Sequence, residues 1–346
     1  MTLFPMQNNK KILLIRLSSL GDVILSTTAL TAIHQAKQDQ SIETHFLVGE
    51  NFKDVLSQHP FVSKLWTFDK RLGLKGWLHL ASQLHVEKFD HIYDLHQSLR
   101  TLILRVLFWI WKIKNPKSNT KWKVISKQRL RYFGFYLFKN LWPKQFRPTQ
   151  KKILFAQIVG GDGSEMPQMN GLLSGVNLNY SFLSKPYICV MPASKWEGKQ
   201  WNIEGFLKAI EASKMFPVVL GTPNDSSSVE LVNLLKKREI PHFSGVGGLG
   251  LKEVAFVLKE SKYLISVDTG LTHLAEAFNV PVHVVFGPTH PDMGFGPIRE
   301  RSKAYGAKLW CRPCSKDGTA CFRLHNKYAC MKKFDGESLI QKVQFK

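Results

Sequence analysis

One local pattern recurs along the chain: a short run rich in Ile, Leu and Val, a small polar turn, then apolar residues at helical spacing. Residues 11–17 (KILLIRL) form the first run, 18–22 (SSLGD) the turn, and 23–36 the helical stretch. Further strands fit 44–48 and 91–95. The alternation restarts with strands at 187–191, 217–220, 263–267 and 282–286. Helices fit 203–213, 227–237, 251–260 and 271–278. Strands that read as nearly continuous apolar runs and alternate with helices predict parallel sheets covered on both faces. The expected class is α/β, with doubly wound domains. At 346 residues, the chain has room for two domains of about 150 residues each. The expected boundaries are an N-terminal domain over 1–160, a Gly-, Ser- and Pro-containing linker over 161–186, and a C-terminal domain over 187–346.

Charge narrows the partners. The chain carries 48 Lys and Arg against 26 Asp and Glu, a net charge of +22. Between Arg100 and Lys152 there are 15 cations and no Asp or Glu. The same window holds Phe108, Trp109, Trp111, Trp122, Tyr132, Phe133 and Trp142. Cations interleaved with rings suit an anionic bilayer interface or single-stranded nucleic acid. They also suit a solvated basic helix pair with its rings in a core. The most apolar stretch, 101–113, is interrupted by Arg105 and Lys112, so it is too short to span a membrane. Arg16 and Asp22 interrupt 12–30 as a signal-peptide core, and the expected location is cytoplasmic.

Three motifs sit where strands end. The first is Arg16-Leu17-Ser18-Ser19-Leu20-Gly21-Asp22. Gly21 permits close backbone approach. Asp22 is placed either to take a proton from a substrate hydroxyl or to cap the helix with Ser19. The second, residues 192–201 (PASKWEGKQW), offers Ser194 and Lys199 to a diphosphate, or a solvated lysine. In the third, residues 267–277 (VDTGLTHLAEA), a strand runs into Asp268, Thr269 and Gly270 at a helix start, an anion site by virtue of its free N–H groups. His273 lies one turn in, as a phosphate ligand or a packed histidine. A further loop, 286–289 (FGPT), follows the next strand. No G-x-G-x-x-G follows the first strand, which argues against a dinucleotide oxidoreductase.

Taken together, RLSSLGDV, PASKWEGKQW, the Gly221 turn before Asp225, SVDTGLTHLAEA and VFGPTHPDMGFGP resemble the ADP-heptose:lipopolysaccharide heptosyltransferases, glycosyltransferase family 9. The resemblance covers most of 10–335 and implies a GT-B fold: two Rossmann-like domains facing a cleft. It further implies inverting, metal-independent transfer of heptose from ADP-heptose to inner-core lipopolysaccharide. The acceptor is then a lipid A-core, met peripherally at the inner face of the cytoplasmic membrane, with no nucleic acid partner. By motif, Asp22 is the implied general base, with Ser19, Gly21 and Arg100 toward the acceptor. Ser194, Lys199, Asp268, Thr269, Gly270 and His273 are implied for the donor, with Asp225 toward the ribose. This chain has His96 where the family often has Gln.

The cysteines stand apart. Cys189 lies in an expected strand, whereas Cys311, Cys314, Cys321 and Cys330 fall within 20 residues, over 311–330. In a cytoplasmic protein such spacing favours a structural metal, zinc first and an iron–sulfur cluster second, or four reduced thiols. No cofactor is expected for catalysis itself.

Overall fold

The computed structural model describes residues 10–36, 42–114, 119–319 and 321–344. Two compact units are present: 1–127 with 151–172, and 128–150 with 173–346.

The first unit is built on β1 (Lys10–Ile15), β2 (Ile42–Gly49), β3 (Lys64–Phe68), β4 (His91–Asp94) and β5 (Lys121–Val124). They form one parallel sheet in the order β3-β2-β1-β4-β5. Ile12, Leu13, Leu14 and Ile15 are all buried, as a strand covered on both faces requires. The helices of the unit are α1 (Leu20–Ala36), α2 (Lys53–Leu56), α3 (Gly73–Val86), α4 (Leu99–Lys114) and α6 (Lys151–Ile158); α5 (Arg129–Phe138) belongs to the other unit. Small residues let α1 lie close to its neighbours: Thr28 Oγ1 donates to the Lys152 carbonyl at 2.9 Å.

The second unit has β6 (Tyr187–Met191), β7 (Phe216–Val219), β8 (Phe243–Ser244), β9 (Leu264–Val267), β10 (Val282–Val285) and β11 (Lys303–Tyr305). The parallel order is β11-β10-β9-β6-β7-β8. Its helices are α7 (Ile203–Ser213), α8 (Ser226–Lys237), α9 (Leu251–Glu260), α10 (Gly270–Ala277), α11 (Ala329–Lys332) and α12 (Glu337–Gln344). Trp201, Phe206 and Phe334 join α7, α11 and α12 to the core, and Trp201 Nε1 donates to the Phe334 carbonyl at 2.9 Å.

In both sheets the strand order reverses beside the first strand of the unit. The reversal falls between β1 and β4 in one sheet and between β6 and β9 in the other. Loops diverge at such a switch point and leave a crevice beyond the carboxyl ends of the strands, where open α/β sheets bind ligands. All three sequence motifs leave from these ends.

The expected domain boundaries differ from the packing. Residues 128–150 join the C-terminal unit, and 151–172, half of it expected as linker, return to the N-terminal one. The cause is specific contact. Tyr132 Oη donates to the Met293 carbonyl at 2.8 Å, Lys139 Nζ to the Pro313 carbonyl at 2.6 Å, Arg147 pairs with Asp292, and Phe135 packs edge-on against His290. The basic window 100–152 is therefore divided between the two units.

Candidate functional site

In the C-terminal unit, three strand ends converge on one carboxylate. Lys199 follows β6, Asp268 follows β9 and Thr289 follows β10. Lys199 Nζ lies 2.7 Å from Asp268 Oδ2, and Thr289 Oγ1 donates to the same oxygen at 2.9 Å. Lys199 and Asp268 are each 13% exposed, so the pair is shielded yet reachable. Next to it α10 begins with Thr269 at the cap, in extended conformation, its own side chain making no cap hydrogen bond. The helix start leaves N–H groups for an anion. The corner thus offers one cation, a hydroxyl and helix donors. Asp268 holds Lys199 and Thr289 in place with one oxygen, and like charge would oppose direct contact between Asp268 and a phosphate.

The other expected donor residues are placed less uniformly. Ser194 is half-buried in the loop after β6, its carbonyl 3.4 Å from Gln200 Nε2. Asp225 lies at the start of α8, after β7; its Oδ2 accepts from the Thr222 backbone at 2.6 Å. Gly221 is pressed against Ser228, where a Cβ would meet Oγ at 2.4 Å. His273 is buried, with its ring 6.1 Å from that of Phe295, so it backs the α10 turn from within. Glu276, which sequence reading passed over, is also buried. Its Oε1 accepts from the backbones of Ile298 and Arg299 at 2.7 and 3.0 Å, and burial pushes its pKa up to about 6.

In the N-terminal unit the loop after β1 holds Asp22 at both ends of a small network. Arg16 Nη2 lies 2.7 Å from Asp22 Oδ2. Ser19 donates to the same oxygen through Oγ at 3.0 Å and through its backbone at 3.3 Å. Asp22 does cap α1, reaching back to Ser19 in the manner of a capping box. Every one of these contacts falls on Oδ2, which leaves Oδ1 without a contact among the described residues. Arg16 is itself braced by donation to the Leu95 carbonyl at 2.6 Å and by the Phe155 ring at 5.6 Å. His96, after β4, feels both Arg16 and Asp22; burial first, and Arg16 next, push its pKa down to about 4, so the ring is neutral near pH 7. Arg100 is exposed at the start of α4, its guanidinium 5.8 Å from the Phe68 ring centre. Gly21 is buried in the first turn of α1.

Among the metal candidates, all five cysteines are free thiols; Cys311 and Cys330 are buried, and Cys314 and Cys321 half-buried. The sulfurs of Cys311, Cys314, Cys321 and Cys330 are not gathered as the expected metal site would require; among the described residues the group whose ligand atoms lie within 4.8 Å of one another is Glu43, His45 and Glu87. Lys11 bridges both of those carboxylates and Lys64 binds Glu87, so cations of the chain already neutralise the group. A cavity of about 680 Å³ opens near the starts of α7 and α8, lined by Gln200, Trp201, Asn202, Ser227, Tyr328 and Met331.

Two Rossmann-like units, each with polar strand-end loops at its switch point, define a glycosyltransferase of the GT-B class. The chain belongs to glycosyltransferase family 9 (heptosyltransferase), whose model matches residues 144–324, more than half of the chain. The chain is 25% identical to lipopolysaccharide heptosyltransferase 1 of Pseudomonas aeruginosa, over 88% of this chain and 86% of that protein. Among solved structures it is similar to E. coli heptosyltransferase WaaC with ADP, with a TM-score of 0.60, 20% identity, and coverage of 85% of this chain and 92% of that one. It is also similar to E. coli ADP-heptose lps heptosyltransferase II, with a TM-score of 0.65, 15% identity, and coverage of 97% and 98%.

Proposed function

We propose that the protein transfers heptose from ADP-heptose to the inner core of lipopolysaccharide, with inversion and without a catalytic metal. The observation that carries this reading is the Lys199–Asp268–Thr289 corner beside the start of α10, in a chain whose relatives are named for heptose transfer. The acceptor oxygen attacks the anomeric carbon, the bond from that carbon to the diphosphate breaks, and ADP leaves. Lys199 and the α10 N–H groups take up the charge developing on the diphosphate. Thr269 and Gly270 lend the backbone of that turn, Ser194 lines the same edge, and Asp225 meets the ribose. His273 fixes the turn from beneath.

Asp22 accepts the proton of the attacking hydroxyl on Oδ1. Arg16 and Ser19 keep the carboxylate in one orientation through Oδ2. Ser19, Gly21, His96 and Arg100 frame the acceptor. The lipid end of the acceptor rests in an anionic membrane surface. Helix α4 suits that surface, because Leu99, Leu102, Val106, Trp109, Ile110 and Ile113 are exposed at helical spacing, with exposed Lys112 and Lys114 at its end.

The test is ADP release with ADP-heptose and a Kdo- or heptose-terminated core acceptor. Turnover is expected with one of these acceptors. Turnover only with a different nucleotide sugar would replace the donor assignment. Asp22→Asn keeps the cap acceptor but not the base; kcat is expected to fall about 10²–10⁴-fold with folding intact. A folded variant with full rate would overturn the role of Asp22.

A further inference from the structure

We propose that Glu276 is a positioning residue for the donor site: it fixes the loop 289–299 against α10, and so sets the place of Thr289 in the corner that takes the diphosphate. The link to the diphosphate rests on the donor-site reading above.

Three observations lead to this role. First, Glu276 is fully buried and joins helix to loop through both its side chain and its backbone. Its Oε1 accepts from the Ile298 and Arg299 N–H groups, and Arg299 Nε donates to the Glu276 carbonyl at 2.9 Å. Secondly, α10 meets the same loop a second time. His273 lies three residues earlier, on the same face of the helix, with its ring 6.1 Å from that of Phe295. Thirdly, the carboxylate is held there at a cost. Burial pushes its pKa up to about 6, and the two loop amides offset this only in part, so near pH 7 the group is mainly ionised against the pull of its surroundings. An apolar residue would avoid that cost, but it would leave two buried amides of the loop unpaired.

The coupling follows from how the loop is folded. The Gly296 N–H donates to the Pro291 carbonyl at 2.9 Å, and the Met293 N–H to the His290 carbonyl at 2.9 Å. A Cβ at Gly296 would meet the Pro291 carbonyl oxygen at 2.9 Å, so the turn closes without slack. A segment folded on itself in this way moves as one piece, and a hold at 298–299 is felt at 289. There Thr289 Oγ1 donates to Asp268 Oδ2, the oxygen that also binds Lys199. Tyr132 and Arg147 grip the middle of the loop, at Met293 and Asp292. Glu276 ties its far end to the helix whose first N–H groups face the diphosphate. Without that tie the loop can shift along α10 and draw Thr289 out of line with the helix start.

The experiment compares full-length wild type, Glu276→Ala and Glu276→Gln. Amide hydrogen exchange is followed by mass spectrometry, ADP affinity by calorimetry, and KM and kcat by ADP release. In Glu276→Ala the 290–299 amides are expected to exchange about tenfold faster, while those of β6 and α7 keep their wild-type rates. ADP affinity should fall about tenfold and the donor KM should rise to match, with kcat at saturating donor within about threefold of wild type. Glu276→Gln keeps an oxygen acceptor and should recover most of both losses. Because a neutral acceptor is weaker than a carboxylate, it should still exchange faster and bind ADP less tightly than wild type by about two- to fivefold. Should Glu276→Ala fail to fold, Glu276→Gln decides alone, and wild-type values in it would overturn the proposal. Unchanged loop exchange in Glu276→Ala would overturn the tie. Faster exchange with unchanged ADP affinity would overturn the coupling, as would a loss of kcat with KM unchanged. Neither exchange nor calorimetry uses a sugar, so an absence of turnover with ADP-heptose in the wild type would count against the heptose assignment alone.

Discussion

At the scale of single residues, chemistry depends on where a side chain's neighbours leave an atom unused. The position of Asp22, just after the first strand, was legible. That its contacts share one oxygen was not, because the sequence does not say which of two equivalent atoms a loop will engage. Asp268 reads in sequence as a ligand for the donor, and in the fold it is the post to which Lys199 and Thr289 are tied. Thr289 was legible only as part of a polar strand-end loop, and Arg312 was missed, because the partner of each lies at a strand end far away in sequence.

His59 was equally silent in the sequence. It is buried, and burial pushes its pKa down to about 4 from an ordinary 6.5. The folded state thus refuses a proton that the unfolded chain accepts below pH 6.5. Its stabilising share is complete above that pH and is lost as pH falls toward 4, about 3 kcal/mol in all. Urea titrations at steps between pH 7 and 4 are expected to show this loss. His59→Asn, which keeps an acceptor for the Phe61 backbone N–H, should show a shallower one. A variant with an unchanged slope would assign the acid sensitivity elsewhere.

At the scale of elements, the strands that sequence reading found are the inner ones. The four it missed, β3, β5, β8 and β11, are the edges of the two sheets. The reason is physical. An inner parallel strand must be apolar on both faces, which writes a continuous run. An edge strand is short and half solvated, and it is protected by charge. β5 reads Lys-Trp-Lys-Val and was absorbed into the basic window.

That window is itself heterogeneous. Lys152 is buried and donates to the Gly163 and Glu165 carbonyls, Arg131 binds the Arg147 carbonyl, and Arg147 pairs with Asp292. These cations hold the fold together. Within the first unit, α4 has the better claim to a bilayer, with Trp109 at 64% and Ile113 at 60% exposure. Trp109→Ser combined with Ile113→Ser is expected to lower partitioning onto anionic lipid vesicles by about tenfold or more. Thermal stability and turnover of a soluble, truncated acceptor should be nearly unchanged. Unaltered vesicle binding would remove α4 from the docking surface.

For the whole molecule, the α/β class and the positions of the strand-end loops were legible, since both follow from local periodicity. The division into units was not, because it rests on contacts such as Tyr132 with Met293 that no local pattern announces. The chain passes between the units three times, after 127, after 150 and after 172. Neither unit is completed until the chain has passed into the other and back. We expect calorimetry to give a single cooperative unfolding transition in which neither unit melts first. Two resolved transitions would show that the units fold independently.

The threefold passage also governs how such a protein can be recombined. A chimera joined at one point between two relatives separates residues that pack together, wherever the joint is placed. Cutting near 160, where the sequence suggests the end of the first domain, gives the second unit a 128–150 segment from the wrong parent. Tyr132, Lys139 and Arg147 would then face a 288–313 surface that had not diverged along with them. Exchange of the second unit by domain grafting therefore calls for three junctions, with 128–150 travelling alongside 173–346.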